Sequence, residues 1–478
     1  MSIKRNFLHN ILFILSNILF PIITFSYTSR ILGPEGIGKV QFAVSFAQYF
    51  VLVAALGIPA YGVREIAKIR GDKNKLNKLF SELITINIIT SLVSLIIYAV
   101  IIYFFKWFHQ DIFFFILGGI IVLSGFSVID WFFIGIEQFH FLSIRSLIIK
   151  GVAIISLFLF IKTPKDLLVY FLITIFSILG SNFWNLFNLN GLVSIQIKKL
   201  ELKKHLPVLF TLFSTSITIS IYTMVDILFL GFQTDNRAVG YYSAAIKITK
   251  IAIPLIVSLG TVLIPKITQS IVSKDDDLLQ RLTKHSFSFI CLLAIPTSFG
   301  LFLFAPEIII VFSGTQFIEA IPTLQLAAPL VFLIGLGSIF GPQLLIPSGN
   351  EKSYFISTVF GMITSVILNL ILIRIFRDKG AAIATVLGEF IVSITAYYFV
   401  RKKMRLNFNW YLVSNAFLSS LVFIPIEIFL KYSISDTPIR LIVAIISCAF
   451  IYFTIQLIIF KEIQIREIYL KSLKILKF

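Results

Sequence analysis

Apolar residues in this chain run unbroken for twenty or so positions, stop at a short polar stretch, and start again. Fourteen such runs are legible: 8–29, 40–60, 83–105, 112–134, 146–161, 167–190, 206–231, 240–263, 286–304, 323–346, 354–376, 380–400, 411–430 and 440–460. A helix needs roughly 20 residues to cross a hydrocarbon core of about 30 Å, whereas a barrel strand needs about half as many. In lipid the backbone must satisfy its own hydrogen bonds, and one continuous run does that only as a helix. The pattern predicts an all-α integral membrane protein of about fourteen transmembrane helices. The first run follows Lys4 and Arg5, is longer than a signal-peptide core and lacks a small-residue cleavage site, so it reads as a retained helix.

Composition excludes the alternatives. Hydrophobic types make up 58% of 478 residues and charged types 13%, too few charges to cover a water-facing surface or to keep a chain disordered. Cys291 and Cys448 both sit in apolar runs, so no disulfide framework or cysteine metal site follows. The five His are scattered, and Gly38-Lys39 leads into Val40, so there is no phosphate loop and no ATP-binding motor. The net charge of +18 would suggest nucleic acid in a soluble protein. Here it sorts by side: 28 Lys and Arg fall at the N-terminus, the even-numbered loops and the C-terminal tail, against 11 in the odd-numbered loops. Positive charge stays cytoplasmic. Both termini are therefore expected in the cytoplasm, the partner is the lipid bilayer, and no nucleic acid is expected.

The chain also repeats itself. Arg30-Ile31-Leu32-Gly33 leads through a loop to Gly38 and a polar-flecked helix; Leu228-Phe229-Leu230-Gly231 leads to Gly240 and another, 202 residues on. Each helix runs to an Ile-Pro pair, Ile58-Pro59 and Ile264-Pro265. The expected organisation is two pseudo-symmetric six-helix lobes, 1–195 and 206–404, joined by a cytoplasmic linker at 196–205. Residues 405–478 add helices 13 and 14 and a basic tail. Six spans return a chain to its starting side, so the lobes run parallel around a central path, as transporter halves do.

Four stretches resemble bacterial polysaccharide flippases. They are Ser29 to Gly38 (SRILGPEGIG), Gly62 to Ala67 (GVREIA), Asp130 to Glu137 (DWFFIGIE) with Arg145 and Lys150, and Gly341 to Lys352 (GPQLLIPSGNEK). These are the O-antigen and capsule repeat-unit transporters of the multidrug/oligosaccharidyl-lipid/polysaccharide (MOP) exporter superfamily. The resemblance covers the chain in order. It implies a transporter, not an enzyme, that moves undecaprenyl-pyrophosphate-linked oligosaccharide from the cytoplasmic to the periplasmic leaflet of the bacterial inner membrane. It further implies coupling to H+ or Na+ rather than a cofactor, and work beside a polysaccharide polymerase and a chain-length regulator. A lipid II flippase or a multidrug antiporter of the same fold are the alternatives. A membrane polymerase fits less well, because the longest expected periplasmic loop, 305–322, carries only Glu307 and Glu319 as charges.

Ionisable residues inside a bilayer are costly and mark function by default. Lys247 and Lys250 lie three apart, on one helix face. Lys250 is roughly 15 Å into its run, too deep to snorkel. Asp226 is depth-matched to Lys247, and Glu389 to Lys250. Two readings stand: buried structural pairs, or a cationic inter-lobe wall that attracts pyrophosphate, with Asp226 or Glu389 carrying the coupling ion. The repeat offset sets Ser45 and Gln48 opposite the lysines as hydroxyl and amide donors. Arg30 and Arg64 cap helices 1 and 2, and a guanidinium fork suits a diphosphate; snorkelling and plain topology are their other readings. Asp130 and Glu137 read as interfacial, and Asp275 to Asp277 as a solvated loop. A cationic cavity would repel cationic drugs, which weighs against the multidrug alternative.

Overall fold

The computed structural model describes residues 3–196 and 200–460, and every regular element in them is helical. The tail at 461–478, and Ile197, Lys198 and Lys199 of the expected linker, lie outside the described residues. The chain divides into two compact units. One runs to Gly231 and takes in Asp235–Gly240; the other holds Phe232–Thr234 and the chain from Tyr241 onward. Eleven helices of the described residues are long and apolar enough to cross a membrane.

The first unit contains α1 (Ile3–Ala55), α2 (Ile58–Ile69), α3 (Lys73–Phe104), α4 (Ile112–Leu123), α5 (Asp130–Gly135), α6 (Phe139–Phe160), α7 (Leu167–Phe187) and most of α8 (Leu206–Gln233). The first two expected spans are limbs of α1, broken at Gly33. Its φ of 67° is open to glycine, and Pro34 behind it disfavours a helical residue before it. The second limb stops at Ala55, short of the expected residue 60. Leu56 and Gly57 turn the chain through left-handed φ, and Pro59 starts α2 as a separate helix.

The packing is inside out. On α3, Ile88, Ile89, Leu92, Val93, Ile96, Ile97 and Val100 are exposed, while Asn87, Ser91, Ser94 and Tyr98 are buried. Water would demand the reverse; a lipid surround explains it, because apolar side chains lose nothing there and hydroxyls serve as interhelical glue. The Ser94 hydroxyl donates to the Phe50 carbonyl on α1 at 2.7 Å, and the Tyr98 hydroxyl to the Phe115 carbonyl on α4 at 2.6 Å. The chain is a multi-pass membrane protein.

The second unit carries α9 (Asn236–Ser273), whose first turn belongs to the first unit, then α10 (Asp276–Leu303), α11 (Ala305–Ser313), α12 (Ile321–Ala327), α13 (Leu330–Ser338), α14 (Glu351–Lys403), α15 (Tyr411–Ser420), α16 (Phe423–Ser433) and α17 (Thr437–Ile458). On α14, Ser357, Thr358, Gly361, Ser365 and Asn369 point inward and Phe360, Ile363, Ile367 and Ile371 outward. The helix kinks at Arg377, φ 55°, between the eleventh and twelfth expected spans. Two expectations are corrected here. The 305–322 loop is folded as α11 and a short 3-10 turn, Thr315–Ala320. Asp275 to Asp277 are not a bare loop: the Asp275 carboxylate caps α10, accepting from Leu278 N at 2.9 Å, and Asp276 and Asp277 occupy the first turn, where the helix dipole favours acids.

Candidate functional site

Helix α9 carries the expected cations. Lys247, Lys250, Ser258 and Thr261 recur at near-whole helical turns and form one polar row. Lys247 is half-buried; Lys250, Ser258 and Thr261 are exposed. The hydroxyls are satisfied within the helix, Ser258 donating to the Leu255 carbonyl and Thr261 to the Ser258 carbonyl at 2.7 Å each; two ammoniums on one face of a membrane helix are costly against lipid, and a water-lined wall or anionic partner relieves that cost. Glu389 is half-buried on α14 in the same unit, within electrostatic reach of Tyr354.

In the first unit, Gln41, Ser45 and Gln48 share a face of the second limb of α1; Ser45 is buried and the two glutamines half-buried. The Tyr49 hydroxyl donates to the Ser220 carbonyl of α8 at 3.2 Å, and Asp226, buried on that helix, is in electrostatic reach of the same tyrosine. Arg30 is exposed three residues before the Gly33 break. Arg64 corrects the reading given above. It caps no transmembrane helix but sits exposed on α2, with Nε 2.8 Å from Glu65 and its guanidinium 5.5 Å from the Tyr61 ring centre. The turn at Leu56 and Gly57 moved it there.

Three features escaped the sequence reading. Lys150, inside the fifth expected span but not singled out there as an intramembrane charge, lies eleven residues into α6, roughly 16 Å from either helix end. Its Nζ stands 5.8 Å from the Phe20 ring centre on α1. The apolar stretches on both sides of it, Leu147 to Ile149 and Val152 to Ile155, were the available signal.

Asp130 does more than sit at an interface. Arg145, 3% exposed, grips it with Nη1 at 2.7 Å and Nη2 at 3.2 Å, and Asn185 Nδ2 donates to it at 2.6 Å. Elements α5, α6 and α7 are thereby tied at one point. Glu137 is the exposed partner of Arg70, at 2.6 Å.

The described part of the stretch expected as a linker, Gln196 and residues 200–205, is docked. Asn77, Ser81 and Glu82 present one polar face of α3, and they accept from the backbone N–H groups of Ser194, Gln196 and Glu201 at 2.8–2.9 Å. Glu82, 1% exposed, also meets Lys204 Nζ at 3.1 Å and His205 Nε2 at 2.9 Å, and His205 Nδ1 meets the Tyr61 hydroxyl at 2.8 Å. Desolvation pulls Lys204 down, but Glu82 and Glu201 outweigh it and hold the ammonium above its ordinary pKa. Lys204 and Lys78 hold Glu201 below the usual carboxylate range.

Comparison with known proteins gives a consistent picture. A family model described as polysaccharide biosynthesis protein matches residues 3–271, and one described as MatE matches residues 212–372. The chain is 25% identical to a protein of Escherichia coli (strain K12) named as an O-antigen transporter, over 84% of this chain and 97% of the relative. It is 24% identical over half its length to half of a protein of Haloferax volcanii named as a low-salt glycan biosynthesis flippase. Among solved structures, the lipid II flippase MurJ in an inward closed conformation superposes with a TM-score of 0.77 at 16% identity, covering 95% of this chain and 99% of that one. An inward-facing multidrug resistance MATE family transporter of the MOP superfamily gives 0.65 at 16% identity, covering 84% and 95%. These two likenesses show the fold.

Proposed function

The chain belongs to the polysaccharide biosynthesis protein family of the MOP superfamily, and from that membership we propose that it is a flippase for a lipid-linked glycan. The substrate is an undecaprenyl-pyrophosphate-linked repeat unit, carried from the cytoplasmic to the periplasmic leaflet of a bacterial inner membrane. The observation that carries this reading is the polar row of α9: two lysines within one turn, one of them exposed, on a membrane helix. A pyrophosphate is the ligand whose charge suits such a row, and the hydroxyls and amides of Ser45, Gln48, Ser258 and Thr261 suit sugars as well. Arg30 and Arg64 serve the entry of the diphosphate. Asp226 and Glu389 carry the coupling ion, H+ or Na+.

The topology in this proposal has fourteen spans and two cytoplasmic termini. The Gly33 and Arg377 breaks support the count, because each divides one long helix into two limbs, and α8 supplies one more crossing. The two lobes, 1–195 and 206–404, alternate access to the path between them. A polymerase and a chain-length regulator work downstream of the product.

Reconstitution in liposomes tests the function. A fluorescent polyprenyl-pyrophosphate oligosaccharide should become accessible on the far leaflet in the presence of the protein, faster with a proton or sodium gradient than without. Movement of lipid II alone, with the oligosaccharide left behind, would turn the assignment to a lipid II flippase. No movement of either lipid would end the transport reading.

A further inference from the structure

Two helices of the first unit stop against the same face of α3. The second limb of α1 ends at Ala55, where Leu56 and Gly57 turn the chain through left-handed φ. Helix α4 ends at Leu123 and tightens into a 3-10 turn, Ser124–Ser127, before α5 starts at Asp130. A stopped helix leaves its last carbonyls without partners inside the helix. Side chains of α3 reach them. The Ser94 hydroxyl donates to the Phe50 carbonyl at 2.7 Å and the Thr90 hydroxyl to the Ala54 carbonyl at 2.5 Å. Asn87 Nδ2 donates to the Gly125 and Phe126 carbonyls at 3.4 and 3.5 Å. The two breaks meet at Gly125, where a Cβ would stand 3.3 Å from Ser91 Oγ and 3.5 Å from the Ala54 Cβ.

Two oxygens of that face are left over. Asn87 Oδ1 and Ser91 Oγ lie one helical turn apart, buried, with no hydrogen-bond partner among the described residues. Their residues are 2% and 1% exposed. An amide oxygen only accepts, so its missing partner is a proton donor or a cation, and an anion is excluded. Charge decides between a water and a cation. The second limb of α1 and α4 both bring their C-terminal ends here, and each such end is equivalent to about half a negative charge. Helix α2 starts close by, and its positive end offsets part of that field; α5 starts with Asp130 in its first turn. No side chain of the surrounding stretches answers the negative ends, because residues 40–63, 83–105 and 112–129 contain no charged residue.

We propose that Asn87, Ser91 and the carbonyls at the two breaks form a binding site for Na+. Half-helix C-terminal ends and unwound carbonyls are the groups that hold this ion where membrane helices are interrupted. A divalent ion would bring a second charge with no carboxylate in these stretches to meet it. Neither an amide nor a hydroxyl titrates at neutral pH, so the site takes a metal ion and not a proton. It lies on α1, α3 and α4, apart from the acids assigned above to coupling, Asp226 on α8 and Glu389 on α14.

Binding to the full chain in detergent tests the site without reference to transport. At constant ionic strength, NaCl should raise the thermal midpoint saturably over choline chloride, and radiolabelled Na+ should bind saturably. Ser91→Ala removes a buried hydroxyl without a protein partner, so the fold should survive in choline chloride. Its affinity for Na+ should fall at least tenfold. Asn87→Asp keeps the oxygen and adds a negative charge, and should tighten Na+ binding at least tenfold. A native chain indifferent to Na+ holds a water between these oxygens, and the proposal falls. A Na+ response that Ser91→Ala leaves intact puts the ion elsewhere and also overturns it. Equal stabilisation by KCl overturns the choice of Na+. If Asn87→Asp does not fold, Ser91→Ala decides the matter alone.

Discussion

Lys250 is the residue on which the proposed chemistry turns. Lys250→Ala should lower transport at least tenfold at normal membrane abundance, and Lys250→Arg should keep part of it, since the charge stays and the donor geometry changes. If Glu389 is only its structural partner, Glu389→Gln should lower yield, and the Lys250→Met, Glu389→Met double variant should recover it. If Lys250 serves the substrate, the double variant should be abundant and inactive. Full transport by Lys250→Ala would remove this lysine from the mechanism. Lys150 raises the same question on α6. An ammonium at mid-helix costs several kcal/mol unless compensated, and the Phe20 ring supplies about 1–2 kcal/mol of that. Lys150→Met should leave abundance unchanged and lower transport severalfold in the liposome assay; unchanged transport would make Lys150 a packing residue.

Two elements are held by buried charge, and each has its own signature. Arg145→Ala strands the Asp130 carboxylate and the Asn185 amide where α5, α6 and α7 meet. Breaking a buried pair costs about 3–5 kcal/mol, less here because the Asp130 side chain is 33% exposed. Thermal unfolding in detergent should fall clearly, and Arg145→Ala with Asp130→Ala should recover part of the loss. The docked stretch before α8 depends on pH at both ends. Glu201 is depressed by Lys204 and Lys78, so its contribution is present above its ordinary carboxylate pKa and fades as pH falls through its lowered one. Lys204 is raised, so its contribution is present below its ordinary pKa and is lost as pH climbs through the raised one. Hydrogen exchange over 200–205 should therefore be slowest, after correction for intrinsic rate, across the neutral range and should accelerate at both extremes. Glu82→Gln should speed it at neutral pH, because Lys204 and His205 lose their shared carboxylate.

At the scale of the molecule, topology is the decisive measurement. Reporter fusions after residues 203 and 404 should score cytoplasmic and one after 378 periplasmic; a periplasmic result at 203 would break both the span count and the two-lobe reading. What the sequence determined by itself was the class of structure. Runs of twenty apolar residues leave helices as the available spanning form, and the lysine row of α9 and the 202-residue repeat could be read from spacing alone, because both are local or periodic. Helix ends were less legible: Gly33 and Arg377 break their helices in gaps between apolar runs, but Leu56 and Gly57 end one inside the run 40–60, through backbone conformation rather than hydropathy. Partners across the fold were beyond reach. The sequence shows Glu82 and His205 as 123 residues apart, Asp130 as an interfacial acid and Arg145 as a charge just before the next run, and Gly38 and Gly240 as two small residues. Folding buried the first pair, enclosed the second and pressed the third together. Those outcomes depend on which helix faces meet, and a chain apolar on nearly every face carries little pattern to say which faces will.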